Sequence, residues 1–130
     1  MFTQLADALA PASLSSTERR VVGRLVERLQ EELGPNLHAI WLYGSRARAE
    51  TPHAESDIDL MVIASGSTWN NGVRAIKLTQ EVADAQGVSP VWYSTQVVDP
   101  DWIVGRREIH SFFIQEVDRD KIVLYGDRLE

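Results

Sequence analysis

Residues 42–63, LYGSRARAETPHAESDIDLMVI, contain the features that decide the fold and the candidate site. This segment connects two short apolar runs, LHAIWLY over Leu37–Tyr43 and DIDLMVIA over residues 57–64. Both runs are typical of buried β-strands. Gly44 and Ser45 follow the first run and predict a tight turn that opens a short helical stretch. The segment therefore predicts a strand, a turn and a second strand that begins at two aspartates.

Asp57 and Asp59 occupy alternate positions of the second strand, so their side chains share one face, with Cα atoms about 6.6 Å apart. Ile58, Leu60 and Val62 point to the other face and into the core. Two carboxylates at this spacing repel each other, and a cation or water must neutralise them. Mg²⁺ prefers carboxylate oxygens and completes its shell with water and substrate phosphates. Asp57 and Asp59 are therefore the predicted metal ligands and catalytic residues.

The Gly44-Ser45 turn is a candidate phosphate site, because backbone N–H groups at the start of a helical turn bind anions. The Ser45 hydroxyl adds a donor, and Arg46 and Arg48 add positive charge. Alone, such a turn is more often only a turn, and an Asp-x-Asp pair is more often a solvated strand face. Their occurrence in order, at the ends of two neighbouring strands, favours a site for a metal–nucleoside triphosphate.

The rest of the chain predicts a mixed α/β protein, with a sheet of about four strands covered by helices. We expect a short N-terminal helix, then a helix that begins near residues 15–17 and stops at Gly34-Pro35. The sequence further predicts a helix at 71–86, a strand at 88–98 in which Pro90 restricts pairing, a helix at 105–120 and a strand at 121–126. The helix at 105–120 is predicted from the spacing of Ile109, Phe112, Phe113 and Val117.

Composition restricts the function classes. At 130 residues the chain is predicted to form one domain, residues 1–130. It contains no cysteine, which excludes disulfides and thiolate metal sites, and no long apolar run or signal-peptide pattern, so we expect a cytoplasmic protein without membrane contact. The net charge of −6 argues against direct binding of nucleic acid.

The stretch GSRARAETPHAESDIDLMV resembles the G-S-x(about 10)-D-x-D signature of the DNA polymerase beta-like nucleotidyltransferase superfamily, specifically its minimal nucleotidyltransferase (MNT) type. The helix before the motif and the strands after it are similar as well. The resemblance implies that Gly44 and Ser45 hold the triphosphate and that Asp57 and Asp59 bind Mg²⁺. It also implies ATP as the donor of AMP and a HEPN-domain protein as the acceptor, in a toxin–antitoxin pair.

The sequence departs from that signature at two places. Eleven residues separate Ser45 from Asp57, one more than the pattern, and a loop around residues 52–53 would accommodate the extra residue. The family also supplies a third carboxylate from the next strand, where we expect Ser89 to be the matching position and find no acid. Asp99 and Asp101 come later. Without the third acid, a binding module that neutralises its HEPN partner by contact stays an alternative to an enzyme.

Other candidates carry less weight. His38, His53 and His110 have no metal-ligand spacing and are expected to be structural or surface residues. The tryptophans at 69, 92 and 102 are expected to pack in the core or an interface, although each could stack on a base. A homo-oligomer, and a structural oligomer without any ligand, are both left open.

Overall fold

The computed structural model describes residues 2–49, 57–126 and 128–129, and within them a four-stranded sheet flanked by helices. In chain order the elements are the helices α1 (Phe2–Leu9) and α2 (Ser16–Leu33), the strands β1 (Leu37–Tyr43) and β2 (Ile58–Ala64), the helix α3 (Thr68–Ala85), the strand β3 (Tyr93–Val98), the helices α4 (Pro100–Glu108) and α5 (Phe112–Asp120), and the strand β4 (Ile122–Gly126). The predicted mixed α/β class and the four-stranded sheet are thus confirmed.

The strands lie in the order β3-β2-β1-β4. β1 pairs antiparallel with both β2 and β4, whereas β2 and β3 run parallel with α3 as the crossover. Because of this order, the end of β1 and the starts of β2 and β3 meet at one end of the sheet. That end contains the predicted site.

Two apolar layers cover the two faces of the sheet. The layer on one side combines α1, α2 and α3 with alternate strand residues: Val22, Leu25, Leu29, Leu42, Ile58, Leu60, Val62 and Leu78 belong to it. The layer on the other side lies under α4 and α5 and contains Ala39, Trp41, Tyr43, Met61, Ile63, Val98, Ile103, Ile114 and Val117. Asp59 shares the second face, as the alternation along β2 predicted.

The start of α2 is fixed by a capping box that the sequence interpretation missed. Ser15 Oγ accepts the Glu18 N–H at 3.1 Å, and Glu18 Oε1 accepts the Ser15 N–H at 2.7 Å. This Ser-x-x-Glu pattern satisfies two backbone donors at once, which stabilises the first turn. The predicted end of the helix at Gly34-Pro35 is confirmed.

Two predicted elements need correction. The strand predicted for 88–98 begins only at Tyr93, because Pro90 starts a 3-10 turn over Pro90–Trp92 that uses three of its residues. The helix predicted for 105–120 is two helices, which meet at a corner where His110 has a φ of +53°. Consequently Ile109 and Phe112 are 66% and 85% exposed rather than buried, and Ile103 and Ile114 take the core positions.

Gly126 provides a test of the pairing between β4 and β1. Its φ is +75°, and an added Cβ would lie 2.0 Å from the His38 carbonyl oxygen. We expect Gly126→Ala to lower the free energy of unfolding by about 3 kcal/mol, from left-handed backbone strain and this backbone clash. Urea unfolding followed by circular dichroism measures the change.

Gly72→Ala is the matched control, because Gly72 lies within α3 and no described heavy atom lies within 4 Å of its added Cβ. This variant should be about 0.5–1 kcal/mol more stable than the wild type. Equal effects of the two substitutions would contradict the assigned β1–β4 pairing.

Candidate active site

The predicted turn and the predicted carboxylates are in direct contact. The β1–β2 register places Tyr43 opposite Asp59, and the next residue, Gly44, has a φ of +78°. A Cβ added at Gly44 would lie 2.5 Å from Asp59 Oδ2. Glycine is therefore required here, both for the backbone conformation and because the carboxylate occupies the space that a side chain would need.

The two carboxylates differ in their surroundings. Asp57 is exposed just before β2, and Asp59 is partly buried one residue inside the strand. Burial, together with the charge of Asp57, raises the pKa of Asp59 from 3.8 to about 6, although Arg48 acts in the opposite direction. Neither carboxylate forms a salt bridge with another residue in the described part of the chain. Among the described residues, the pair therefore lacks a full counter-charge.

The turn after Gly44 begins in the manner of a helix. The Gly44 carbonyl accepts the N–H groups of Ala47 at 3.1 Å and Arg48 at 3.2 Å. In a helical turn the carbonyl groups point toward the C-terminal end, and the first N–H groups point out of the N-terminal end. These N–H groups can donate hydrogen bonds to an anion. Ser45 lies in this first turn. The geometry thus fits the phosphate role predicted for Gly44 and Ser45, which remains a prediction.

Arg46 and Arg48, predicted together as phosphate ligands, lie in different places. The Arg46 side chain is buried and donates to both Glu18 oxygens, at 2.9 and 3.1 Å, and to the Ser13 carbonyl at 3.0 Å. Although burial acts to raise it, the pKa of Glu18 is lowered by Arg46 and Ser15. We therefore assign Arg46 the role of fastening the turn to α2 and leave it out of the proposed phosphate site.

Arg48 is the cation of this turn that stays exposed beside the carboxylates. It acts on the pKa of Asp59, and its Nη1 approaches Asp120 Oδ2 at 3.5 Å. A long contact at the surface contributes little stability, so a bound phosphate can compete with Asp120 for the guanidinium. Arg48 therefore remains in the proposed site.

The residue opposite Asp59 on β3 is Ser94, not Ser89 as the sequence interpretation expected. Ser89 lies before the 3-10 turn, where its Oγ accepts the Val91 N–H. Gln96, two residues beyond Ser94 on the same face, accepts a hydrogen bond from the Tyr43 hydroxyl at 3.4 Å. No acid stands at either β3 position. The described part of the chain also contains no cluster of three or more acids and histidines that could hold a metal.

The residues present fit a divalent ion only in part. Asp57 and Asp59 offer two carboxylates, the kind of hard oxygen ligand that Mg²⁺ prefers, next to the Gly44-Ser45 turn, and the repulsion between their charges would favour a cation. The other ligands would be water and substrate oxygens. Tyr43 does not supply one, because burial and the charge of Asp59 raise its pKa to about 12 and its hydroxyl stays protonated.

The remaining predicted candidates lie elsewhere. His38 forms a hydrogen bond with the Ser65 hydroxyl, and His110 lies at the exposed α4–α5 corner. His53 and the loop around residues 52–53 fall outside the described residues. Trp69 and Trp92 are 79% and 44% exposed, so neither is a core residue. Trp102 packs against the second apolar layer. Asp99 caps α4 by accepting the Trp102 N–H at 2.8 Å.

The raised pKa of Asp59 predicts a dependence of stability on pH. A carboxyl whose pKa is higher in the folded state than in the unfolded chain destabilises the fold once it ionises. This penalty is absent below pH 3.8, develops between pH 3.8 and about 6, and is complete above. Without metal, Asp59→Asn should stabilise the protein by about 1–2 kcal/mol at pH 8, allowing for partial solvation, and by nothing at pH 3.5. Urea unfolding at both pH values tests this, and a pH-independent difference would contradict it.

Gly44→Ala tests the contact between the turn and Asp59. The added Cβ must displace the carboxylate, and the backbone strain costs about 1–2 kcal/mol. We expect Mg²⁺-dependent binding of ATP, measured by calorimetry, to fall at least tenfold. Gly105→Ala, in α4 with no described heavy atom within 4 Å of the new Cβ, should bind as the wild type does. Unchanged binding by Gly44→Ala would contradict the proposed phosphate site.

Comparisons with known proteins agree with the nucleotidyltransferase fold. The family model described as "Polymerase beta, Nucleotidyltransferase" matches residues 24–129. No curated protein matches the chain. A solved toxin–antitoxin structure with AMP-PNP is 25% identical, with 79% of this chain and 72% of that chain covered and a TM-score of 0.46.

A second solved structure contains the tri-AMPylated HEPN toxin of Shewanella oneidensis in complex with its MNT antitoxin. The aligned chain is 20% identical to this one, with 86% of this chain and 74% of that chain covered and a TM-score of 0.43. The family match covers most of the sequence and includes the turn, both carboxylates and all four strands. The chain belongs to the polymerase beta nucleotidyltransferase family.

Proposed function

We propose that this protein is a Mg²⁺-dependent nucleotidyltransferase that transfers AMP from ATP to a hydroxyl group of a HEPN-type partner protein, as the antitoxin of a toxin–antitoxin pair. The observation that carries the proposal is the contact of Asp59 with the backbone of Gly44. This contact supports the proposal because the carboxylate lies against the Gly44-Ser45 turn, and the exposed Arg48 lies close enough to act on the pKa of Asp59. The MNT resemblance of the motif supports the choice of donor and partner.

Each residue has a separate task in this proposal. Gly44 and Ser45 bind the β- and γ-phosphates through the start of the turn, and Arg48 adds charge beside them. Asp57 and Asp59 would hold Mg²⁺, which when bound would supply positive charge to polarise the α-phosphate and to offset the charge of the pyrophosphate leaving group. The side chains thus position the α-phosphorus in line with the acceptor oxygen, and most of the rate enhancement comes from position and charge.

A second candidate function is favoured by the neutral residue at position 94. Since Ser94 stands where a third carboxylate would face Asp59, no acid on β3 can take the proton of the acceptor hydroxyl. A protein with this defect could still bind nucleotide and neutralise its HEPN partner by contact alone. The two candidates differ in whether AMP becomes covalently attached to the partner.

Transfer of label from ATP decides between them. The protein is incubated with Mg²⁺, ATP labelled at the α-phosphate, and the HEPN protein. If the chain is an enzyme, the partner becomes labelled, and Asp57→Asn with Asp59→Asn lowers the rate at least 100-fold, because the metal ligands are lost. Asp84→Asn, which removes an exposed charge on α3, should label the partner at the wild-type rate. Neutralisation of the toxin that survives the double substitution without labelling would instead establish the contact mechanism.

Ser94→Asp tests the explanation for weak turnover. A carboxylate at this position lies beside Asp59 and can accept the hydroxyl proton, a contribution typically worth a hundredfold or more in rate. We expect at least a tenfold faster labelling of the partner, whereas Ser89→Asp, outside the strand, should leave the rate unchanged. A rise with Ser89→Asp alone would contradict the register-based assignment.

A further inference from the structure

The α4–α5 corner places an aromatic side chain at the border of the site. α5 begins at Phe112 and buries Ile114 and Val117 in the layer under the sheet. Phe113 precedes these residues and is 40% exposed, so its ring is partly accessible to solvent.

Two ring contacts hold Phe113 in place. Its centroid lies 5.7 Å from that of Tyr43, with an interplanar angle of 89°, and 6.3 Å from that of Trp102, at 72°. Arg106 in turn lies 5.2 Å from the centre of the Trp102 ring. Edge-to-face contacts of this kind restrain a ring without covering it completely. Phe113 is thus an ordered ring that is still partly open to solvent.

Tyr43 links this ring to the reaction centre. It is the last residue of β1, it pairs with Asp59, and it precedes Gly44. Its hydroxyl reaches Gln96 on β3, so the Tyr43 side chain extends across the face of β2 that carries Asp59. Phe113, which packs on that side chain, is only one side chain away from the carboxylates. A group attached to an α-phosphate bound there lies within reach of its ring.

We propose that Phe113, supported by Tyr43 and Trp102, stacks on the base of the bound nucleoside triphosphate and so contributes to nucleotide affinity. The inference rests on the proposed function, because it needs a nucleotide at Gly44 and Asp59. A nucleobase presents a flat π-face, and stacking on an aromatic side chain is tolerant of which base is bound. Phe113 therefore adds affinity for the nucleoside, whereas the turn and the carboxylates hold the phosphates.

Phe112 offers a matched control on the same helix. It is the neighbouring residue, carries the same ring, and is 85% exposed, but neither of the two ring contacts that fix Phe113 involves it. Substitution of Phe112 by alanine removes the same apolar group from the corner. Any general effect of lost hydrophobic surface will appear in both variants, and a stacking effect only in Phe113→Ala.

The test is calorimetric binding of two ligands in the presence of Mg²⁺: ATP, and inorganic tripolyphosphate, which has no base. We expect Phe113→Ala to weaken ATP binding about tenfold and to leave tripolyphosphate binding unchanged. Phe113→Leu keeps an apolar side chain of similar size and should lose most of the same affinity, whereas Phe113→Tyr should retain it. Phe112→Ala should bind both ligands as the wild type does.

Equal weakening of both ligands would overturn the inference, since it would mean that Phe113 acts only by packing on Tyr43. Wild-type ATP affinity in Phe113→Ala, with a raised KM only for the partner protein, would also overturn it and would place the ring on the acceptor side. A wild-type protein that binds neither ligand would overturn the proposed function itself. If the wild-type protein binds both ligands and Phe113→Ala shows no selective loss of ATP binding, the stacking inference is wrong but the proposed function is not contradicted.

Discussion

The antiparallel pairing of β1 with β2 is the constraint on which the candidate site depends. Its register puts Asp59 opposite Tyr43, so the turn that leaves β1 must pass directly over the carboxylate. Only a residue without a side chain fits there, and Gly44 leaves Asp59 Oδ2 in the space that a Cβ would take. The turn proposed to bind phosphate and the carboxylate proposed to bind metal are thus brought together by backbone hydrogen bonds between neighbouring strands. Because a register slip of one residue would turn Asp59 to the other face, the buried residues of β2 also protect the site.

The turn is held from a second direction by α2. Glu18 closes the capping box at the helix start and also accepts two hydrogen bonds from Arg46, so one carboxylate joins the helix terminus to the turn. The Ser13 N–H donates to the Arg46 carbonyl as well. A charged pair that is largely buried is costly to break because each partner would be left without its counter-charge. This arrangement explains why one arginine of the motif is structural, whereas the side chain of Arg48 lies at the surface.

The positions of β1 and β2 and the face of Asp59 could be predicted from the sequence, because alternation and apolar runs report burial directly. β1 was predicted at its observed bounds, and the face of Asp59 was predicted correctly. The failures have local causes. The spacing of Ile109, Phe112 and Val117 suggested one helix, but a backbone reversal at His110 separates the residues into two. The position opposite Asp59 was misjudged because a 3-10 turn delays β3, and strand registers are set by such turns rather than by composition. The ring of Phe113 could not be placed at the site before the corner between α4 and α5 was known.

Charge balance explains why the proposed function needs a metal ion beside Asp57 and Asp59. Burial, together with the charge of Asp57, raises the pKa of Asp59 to about 6, and Arg48 offsets this only in part. ATP adds roughly four negative charges in the same place, and the second arginine of the motif is committed to Glu18. Arg48 and the backbone dipoles of the turn would not balance six negative charges beside the partly buried Asp59, since each uncompensated charge resists desolvation. Divalent cations remove that conflict, and they also favour the ionised form of Asp59 that binds them. The repulsion between the two carboxylates is therefore the same property that would make nucleotide and metal bind together in the proposed function.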